Sequence, residues 1–248
     1  MAKVIPANWD GFPQAIADRF GSQAGRQRAM VHEGHLLIVA HVPPGPDDLD
    51  RKGALFWRHP TGTWKAAGAV KGGLNALKEL IAAYKAKAVE LEQQLDQAKR
   101  AAAYFKVLND VAPLVRSARN FHKAIQDARE AIPKDAEIIA LRDQAYEVER
   151  MMELIQSDAK AGLEFTTAKR AEEQAELAEH IAQSSHRLNL IAALFLPISA
   201  IGAVFGVNMA HGLETKGAPY VFWAFVAIAF LIGFFVRAAI AKKESAKQ

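Results

Sequence analysis

Two long apolar runs near the C-terminal end constrain this chain more than any other feature of its sequence. Residues 188–207 and 220–236 contain no charged side chain, and Arg237 follows the second run. A helix rises about 1.5 Å per residue, so about 20 apolar residues span the hydrocarbon core of a bilayer. The sequence therefore predicts two transmembrane helices, 188–207 and 220–237. The alternative is a buried hairpin in a soluble protein.

The basic residues beside these runs predict how the chain crosses the membrane. Lys169, Arg170 and Arg187 precede the first run. Arg237 follows the second run, and the basic tail 238–248 contains Lys242, Lys243 and Lys247. The loop 208–219 carries Lys216 as its only Lys or Arg. Because Lys and Arg concentrate on the cytoplasmic side, both termini are expected in the cytoplasm and the loop outside an inner (plasma) membrane. The N-terminus lacks the apolar core of a signal peptide, which agrees with this orientation.

The N-terminal part, residues 1–72, is predicted to form a small cytoplasmic α/β unit. Residues 9–20 are predicted to form a short helix. Val, Ile and Met residues on both sides of Glu33-Gly34 predict a β-hairpin over residues 27–42. A second hairpin is predicted around Pro60-Thr61-Gly62.

Two helices are expected after the Gly72-Gly73 break. Apolar spacing favours one helix over residues 74–110, and a proline then begins another over residues 113–132. Together they predict a cytoplasmic helical hairpin over residues 73–132.

A much longer helix is predicted to follow. Pro133 opens it, and Asp135 and Glu137 lie in its first turn, where the helix dipole favours acidic side chains. Gly162 is the single weak point before the first apolar run. The simplest interpretation is one helix over residues 133–207 that continues from the cytoplasm into the membrane.

Small residues recur every seven positions along this helix. One register contains Ala161, Ala168, Ala175, Ala182, Asn189, Leu196 and Ala203, and the other contains Glu164, Ala171, Ala178, Ser185, Ala192, Ser199 and Gly206. Small residues permit close helix approach or line a narrow path. Polar groups at membrane depth, such as Asn189 and Ser199, are expected to face protein or water. The stripe indicates an oligomeric seam or a pore. Chance recurrence in an alanine-rich sequence is the alternative.

Candidate catalytic and metal-binding residues are few. His32, His35 and His41 match no standard metal-ligand spacing, and we interpret them as solvated strand residues. The acidic residues Asp143, Glu147, Glu153 and Asp158 are candidates for cytoplasmic ion sensing, although acids on a helix surface are usually solvated. There is no cysteine and therefore no thiolate site. The sequence contains no P-loop and no nucleophile paired with a base, so we expect neither an enzyme, nor a cofactor, nor a nucleic-acid partner.

The end of the long helix carries a family resemblance. Phe195-Leu196-Pro197 leads through residues 198–205 to Gly206-Val207-Asn208. This segment resembles the CorA family of metal-ion transporters, in which Phe-Leu-Pro leads to Tyr-Gly-Met-Asn at the outer end of the first membrane helix. Phe205 stands in place of the Tyr and Val207 in place of the Met, and this Gly-Val-Asn variant is similar to the zinc-transporting branch. Glu214 matches an acidic position of the family loop, and the resemblance covers about residues 134–248.

The resemblance implies a mostly α membrane protein that assembles as a homopentameric funnel in the lipid bilayer. It places pore-lining positions at Leu188, Leu196, Ser199, Ala203, Gly206 and Asn208, to which the stripe adds Asn189 and Ala192. The pore mouth would consist of Gly206, Val207, Asn208 and Glu214. The implied function is potential-driven transport of a divalent cation of the Mg²⁺ type. Zinc transport by the same fold is one alternative, supported by Val207 and by the lone loop His211 as a metal ligand. A membrane-anchored helical adaptor without conduction is another.

Overall fold

A four-stranded antiparallel sheet forms the centre of the N-terminal unit. The computed structural model describes residues 5–21, 23–48, 50–206 and 220–245, and its first compact unit extends from Met1 to Lys169. The strands are β1 (Arg28–His32), β2 (His35–His41), β3 (Gly53–Arg58) and β4 (Trp64–Gly68), paired in chain order. Both predicted hairpins are therefore confirmed. Glu33 and Gly34 both have positive φ, as a two-residue hairpin turn that matches the strand twist requires.

Both faces of this sheet are buried. Leu36, Ile38 and Phe56 point to a core shared with the helices. Leu37, Val39, Leu55 and Trp57 point to the other face, where Trp9 and Ile16 cover them. Because side chains alternate along a strand, β2 supplies both cores at once.

The N-terminal helix is much shorter than predicted. Only α1 (Gln14–Ala17) is helical within residues 9–20. Gly11 adopts a positive φ, and Pro13 precedes the helix with an extended backbone, so a continuous helix cannot pass through these positions. The irregular path lets Trp9 and Ile16 reach the outer face of the sheet.

The predicted break between the next two helices is in the wrong place. Helix α2 (Leu74–Asp96) ends well before residue 110, and α3 (Ala101–Ala131) passes straight through Pro113. A proline inside a helix removes one backbone hydrogen bond and its ring crowds the preceding turn, at a cost of about 3 kcal/mol. The buried residues on either side of it, Val111 and Leu114, lie in the core beneath the sheet. Tertiary packing of this face therefore keeps the helix intact across the proline.

The predicted long helix is confirmed as α4 (Ala136–Gly206), which continues beyond the first unit. Its first turn begins after Pro133, and the Asp135 carboxylate caps it. Asp135 Oδ1 accepts hydrogen bonds from the backbone N–H groups of Glu137 at 3.0 Å and Ile138 at 3.3 Å. In its first half, Ile138 and Met152 contribute to the core of the N-terminal unit.

The second unit, Arg170–Gln248, contains the remainder of α4 and helix α5 (Tyr220–Ser245). Within the described ranges, no helix combines the length and the apolar character that crossing a bilayer requires. The two transmembrane spans stay a prediction from the sequence.

Candidate functional site

All seven predicted pore-lining positions within α4 belong to one side of that helix. Leu188 and Leu196 leave 67% and 66% of their surface exposed. Asn189, Ser199 and Ala203 are also exposed, and Ala192 is half-buried. In the single chain, the stripe is therefore exposed and could contact another protein surface.

The opposite side of α4 packs against α5. Leu190, Ala193, Leu194, Pro197 and Ile198 are half-buried, at the spacing of a single helix face. Gly233 of α5 lies against Leu194, since a Cβ added to Gly233 would be 2.9 Å from the Leu194 carbonyl oxygen. Ala229, one turn earlier in α5, is only 2% exposed. Glycine and alanine at these positions allow the two helices to approach closely.

These two faces of α4 are separated by about half a turn. Successive helix positions rotate by about 100°, which places Leu196 and Ala203 on the side away from Leu194. Contact with α5 therefore leaves the stripe uncovered. Of the predicted pore mouth, Gly206 is the last residue of α4. Val207, Asn208, His211 and Glu214 lie outside the described residues.

Three of the four candidate sensing acids take part in ion pairs. Glu147 lies 2.9 Å from Lys85 Nζ, Glu153 lies 2.7 Å from Arg119 Nη2, and Asp143 lies 3.0 Å from Arg142 Nη2. Two of these pairs join α4 to α2 or α3, while Asp158 is exposed. Within the described part of the chain, no group of three or more His, Asp or Glu side chains could hold a metal ion.

The interpretation of the strand histidines as solvated is wrong for His41. This residue is only 4% exposed, and its Nε2 donates a hydrogen bond of 2.8 Å to the Gly25 carbonyl oxygen. His35 is half-buried and accepts a hydrogen bond from Trp57 Nε1 at 3.2 Å. His32 alone among the three is exposed. The difference arises because the sheet is covered on both faces, whereas a strand with one solvated face would expose alternate residues.

His59, which sequence analysis did not select, lies beside His35 with ring centroids 4.9 Å apart. The Thr61 backbone N–H donates a hydrogen bond to His59 Nδ1 at 3.2 Å. Trp57 Nε1 likewise donates a hydrogen bond to His35 Nδ1. Both Nδ1 atoms are thus engaged in hydrogen bonds and not available to a metal ion in this arrangement.

A buried polar network fixes the sheet to the helices. The Tyr84 hydroxyl donates to the His41 carbonyl oxygen at 3.0 Å and lies 2.6 Å from Ser117 Oγ. The Gln27 amide donates to the Ser117 carbonyl oxygen at 2.8 Å and accepts from the His41 backbone N–H at 3.2 Å. Burial raises the pKa of Tyr84 to about 12, although the Ser117 hydrogen bond opposes it, so the hydroxyl remains a donor. No sequence pattern connects these four residues, because they come from separate elements.

Comparison by sequence identifies one family. The family described as CorA-like Mg²⁺ transporter protein matches residues 73–242 of this chain. No curated protein matches the sequence.

Three solved structures are similar to this chain at low sequence identity. The ZntB cytoplasmic domain from Vibrio parahaemolyticus RIMD 2210633 is similar with a TM-score of 0.53 and 10% identity, over 65% of this chain and 80% of that chain. The full-length CmaX protein gives a TM-score of 0.49 and 13% identity, over 94% and 83% of the two chains. The CorA magnesium transporter from Methanocaldococcus jannaschii gives a TM-score of 0.35 and 14% identity, over 85% of this chain and 77% of that chain.

Proposed function

The chain belongs to the CorA-like Mg²⁺ transporter protein family, and on that basis we propose that it forms a homopentameric channel for divalent cations. The family consists of transporters rather than enzymes. The finer proposal is a Mg²⁺-type channel in an inner (plasma) membrane, with both termini in the cytoplasm. Residues 188–207 and 220–237 would cross the bilayer, and the segments 1–72 and 73–132 would lie in the cytoplasm.

The position of the stripe is the observation that carries this proposal. Helix α5 occupies one side of α4, at Leu194, and the small or polar positions lie on the other side. If the small residues recurred only by chance, they would be expected on the packed face of α4 as often as on the other side. Asn189 and Ser199 are costly in contact with lipid, and a water-filled pathway between copies of α4 would satisfy them. Leu188 and Leu196 would form rings that close the pathway by dewetting.

The proposed mouth suits a strongly hydrated ion. Mg²⁺ gives up its water reluctantly. A ring of Asn208 amide oxygens can bind the ion through its hydration shell, and Glu214 raises the local cation concentration. The stripe contains no carboxylate among Asn189, Ala192, Ser199 and Ala203, so the ion is held weakly and can leave. Two positive charges moving inward gain about 4.6 kcal/mol at 100 mV, from about 2.3 kcal/mol per charge.

Zinc is the second candidate cargo. Val207, directly before Asn208, is the feature that favours it. His211 in the same loop offers an imidazole, which zinc prefers over magnesium.

Flux into liposomes separates these functions. Purified protein is reconstituted with an inside-negative potential, and uptake of Mg²⁺ and Zn²⁺ is measured with ion-specific dyes. Uptake of Mg²⁺ that vanishes without the potential supports the first proposal, and preference for Zn²⁺ supports the second. No uptake of either ion, from protein that is correctly inserted, would favour the membrane-anchored adaptor. Native mass spectrometry of the same preparation tests the pentamer, which a monomer or dimer would contradict.

A further inference from the structure

A cavity lies beside the buried end of β2. It has a volume of about 650 Å³, and the described residues that line it include Gly25, Arg26, His41, Asp50, Arg51 and Gly53. Small-molecule sites typically have volumes of about 300–1,000 Å³. All of these residues belong to the N-terminal unit.

The cavity wall carries excess positive charge. Arg26 and Arg51 both line it, against Asp50 as the one carboxylate among its described lining residues. The ion pairs in the described part of the chain include neither arginine. Both residues are exposed, so their guanidinium groups remain open to a ligand.

His41 adds an incompletely satisfied polar group to this wall. Its Nε2 donates to the Gly25 carbonyl oxygen at 2.8 Å, whereas its buried Nδ1 has no partner among the described residues. Burial lowers the pKa of His41 against the opposing Gly25 hydrogen bond, and the positive charge of Arg51 lowers it further.

Glycines give the wall its close packing. A Cβ at Gly53 would lie 2.7 Å from the Ala24 side chain, so only glycine lets the loop before β1 approach β3 this closely. Gly25 has a φ of +72°, a conformation that side chains rarely adopt. This backbone path directs the Gly25 carbonyl to His41 and places Arg26 at the cavity.

We propose that this cavity binds a small phosphate-bearing anion. Two guanidinium groups present planar sets of donors that match phosphate oxygens, and the volume admits a pyrophosphate or a nucleoside diphosphate. Binding there is separate from ion passage along α4, and it gives the N-terminal unit a ligand of its own.

Calorimetric titration of the full-length protein in detergent tests the proposal. Pyrophosphate and ADP are titrated separately in buffer with a chelator, so that no divalent ion bridges ligand and protein. The test protein is a double variant that combines Arg26→Gln with Arg51→Gln. The matched control is Arg100→Gln with Arg116→Gln, which removes the same charge from two exposed positions outside the cavity. Thermal unfolding verifies that both variants fold.

We expect saturable binding of at least one of the two probes, at one site per chain. Affinity should fall by at least about tenfold in the test variant, because charge-assisted hydrogen bonds are lost, and change little in the control. Tighter binding of ADP than of pyrophosphate would identify a nucleotide as the ligand, and the reverse would identify a free phosphate compound. Absence of saturable binding by both probes would overturn the proposal. Equal weakening in the control would also overturn it, since the attraction would then come from the overall charge.

Discussion

Asp135 joins the end of β3 to the beginning of α4 through the two oxygens of one carboxylate. Its Oδ2 lies 2.7 Å from Arg58 Nη2 and 2.8 Å from Arg58 Nε, while its Oδ1 caps the first turn of α4. Both side chains are mostly buried, with 13% and 14% exposed. The sheet and the longest helix are therefore connected by a short and largely desolvated ion pair.

Replacing Asp135 tests this connection. Asp135→Asn retains a capping oxygen but leaves Arg58 unpaired, and should cost about 1.5–3 kcal/mol of unfolding free energy, the usual worth of a hydrogen bond to a charged group. Asp135→Ala also removes the cap and should cost about 1 kcal/mol more. Denaturant unfolding followed by circular dichroism measures both. Equal stability of the Asn variant and the parent protein would show that the pair contributes nothing.

The burial of His41 predicts that the N-terminal unit loses stability in mild acid. Its pKa is lowered in the folded state, whereas an unfolded histidine titrates near about 6.5. Between these values the unfolded chain binds the additional proton, so stability is full above about pH 6.5 and falls as the pH drops below it. The pKa of His35 is also lowered, mainly by burial and then by His59, so it adds an effect of the same sign.

Unfolding measured from pH 8 to pH 5 should therefore show a smaller loss of stability for His41→Gln than for the parent protein. His32→Gln provides the control, because this residue is exposed. If the two variants had identical pH profiles, His41 would not be the group responsible.

Cysteine substitution tests which side of α4 faces the ion. The chain has no cysteine, so a single substitution gives an unambiguous label. A positively charged thiol reagent should block flux through Ser199→Cys, which lies on the stripe. It should leave Ala193→Cys unaffected, since that position belongs to the half-buried face toward α5. Block of the Ala193 variant alone would place the pathway on the wrong side of the helix.

Glu214→Gln should weaken cation uptake more at low than at high ionic strength. Dissolved salt screens the attraction between a solvent-exposed carboxylate at the pore mouth and an approaching cation. The Debye length falls from about 30 Å at 0.01 M salt to about 10 Å at 0.1 M. Glu244→Gln, in the basic tail, is the control for loss of an acidic residue. Uptake that does not respond to Glu214→Gln at any ionic strength would exclude electrostatic attraction by the loop.

Asn208→Gly should leave the oligomer assembled while abolishing or deregulating divalent flux. Asparagine also commonly ends helices, and glycine can replace it there without loss. The two roles are distinguished because glycine cannot supply the polar ring of a pore. Asn208→Asp should hold the ion more tightly and slow its exit. Flux and ion preference unchanged in Asn208→Gly would exclude the selectivity role.

Local patterns in the sequence determined the hairpins, the continuity of α4 and the spacing of its stripe. The turn at Glu33-Gly34 depends on residues adjacent in the chain, and the periodicity of α4 depends on neighbours within two turns. Such signals are readable without knowledge of the fold. The Gly206-Val207-Asn208 motif likewise depends on adjacent residues, and its role in a pore stays a prediction.

Only the tertiary structure decided which local preferences were overruled. Pro113 alone favours the start of a helix, but the buried residues on either side of it keep α3 continuous. His41 lies in a strand that the sequence allowed to be solvated, and packing on both faces of the sheet buries it. The sequence places Asp135 at the start of α4, where the helix dipole favours an acidic side chain. Its ion pair with Arg58 additionally requires the sheet to lie beside the start of α4. Residues so far apart in the chain meet because burial of apolar surface brings their elements together, and no short-range pattern in the sequence records that meeting.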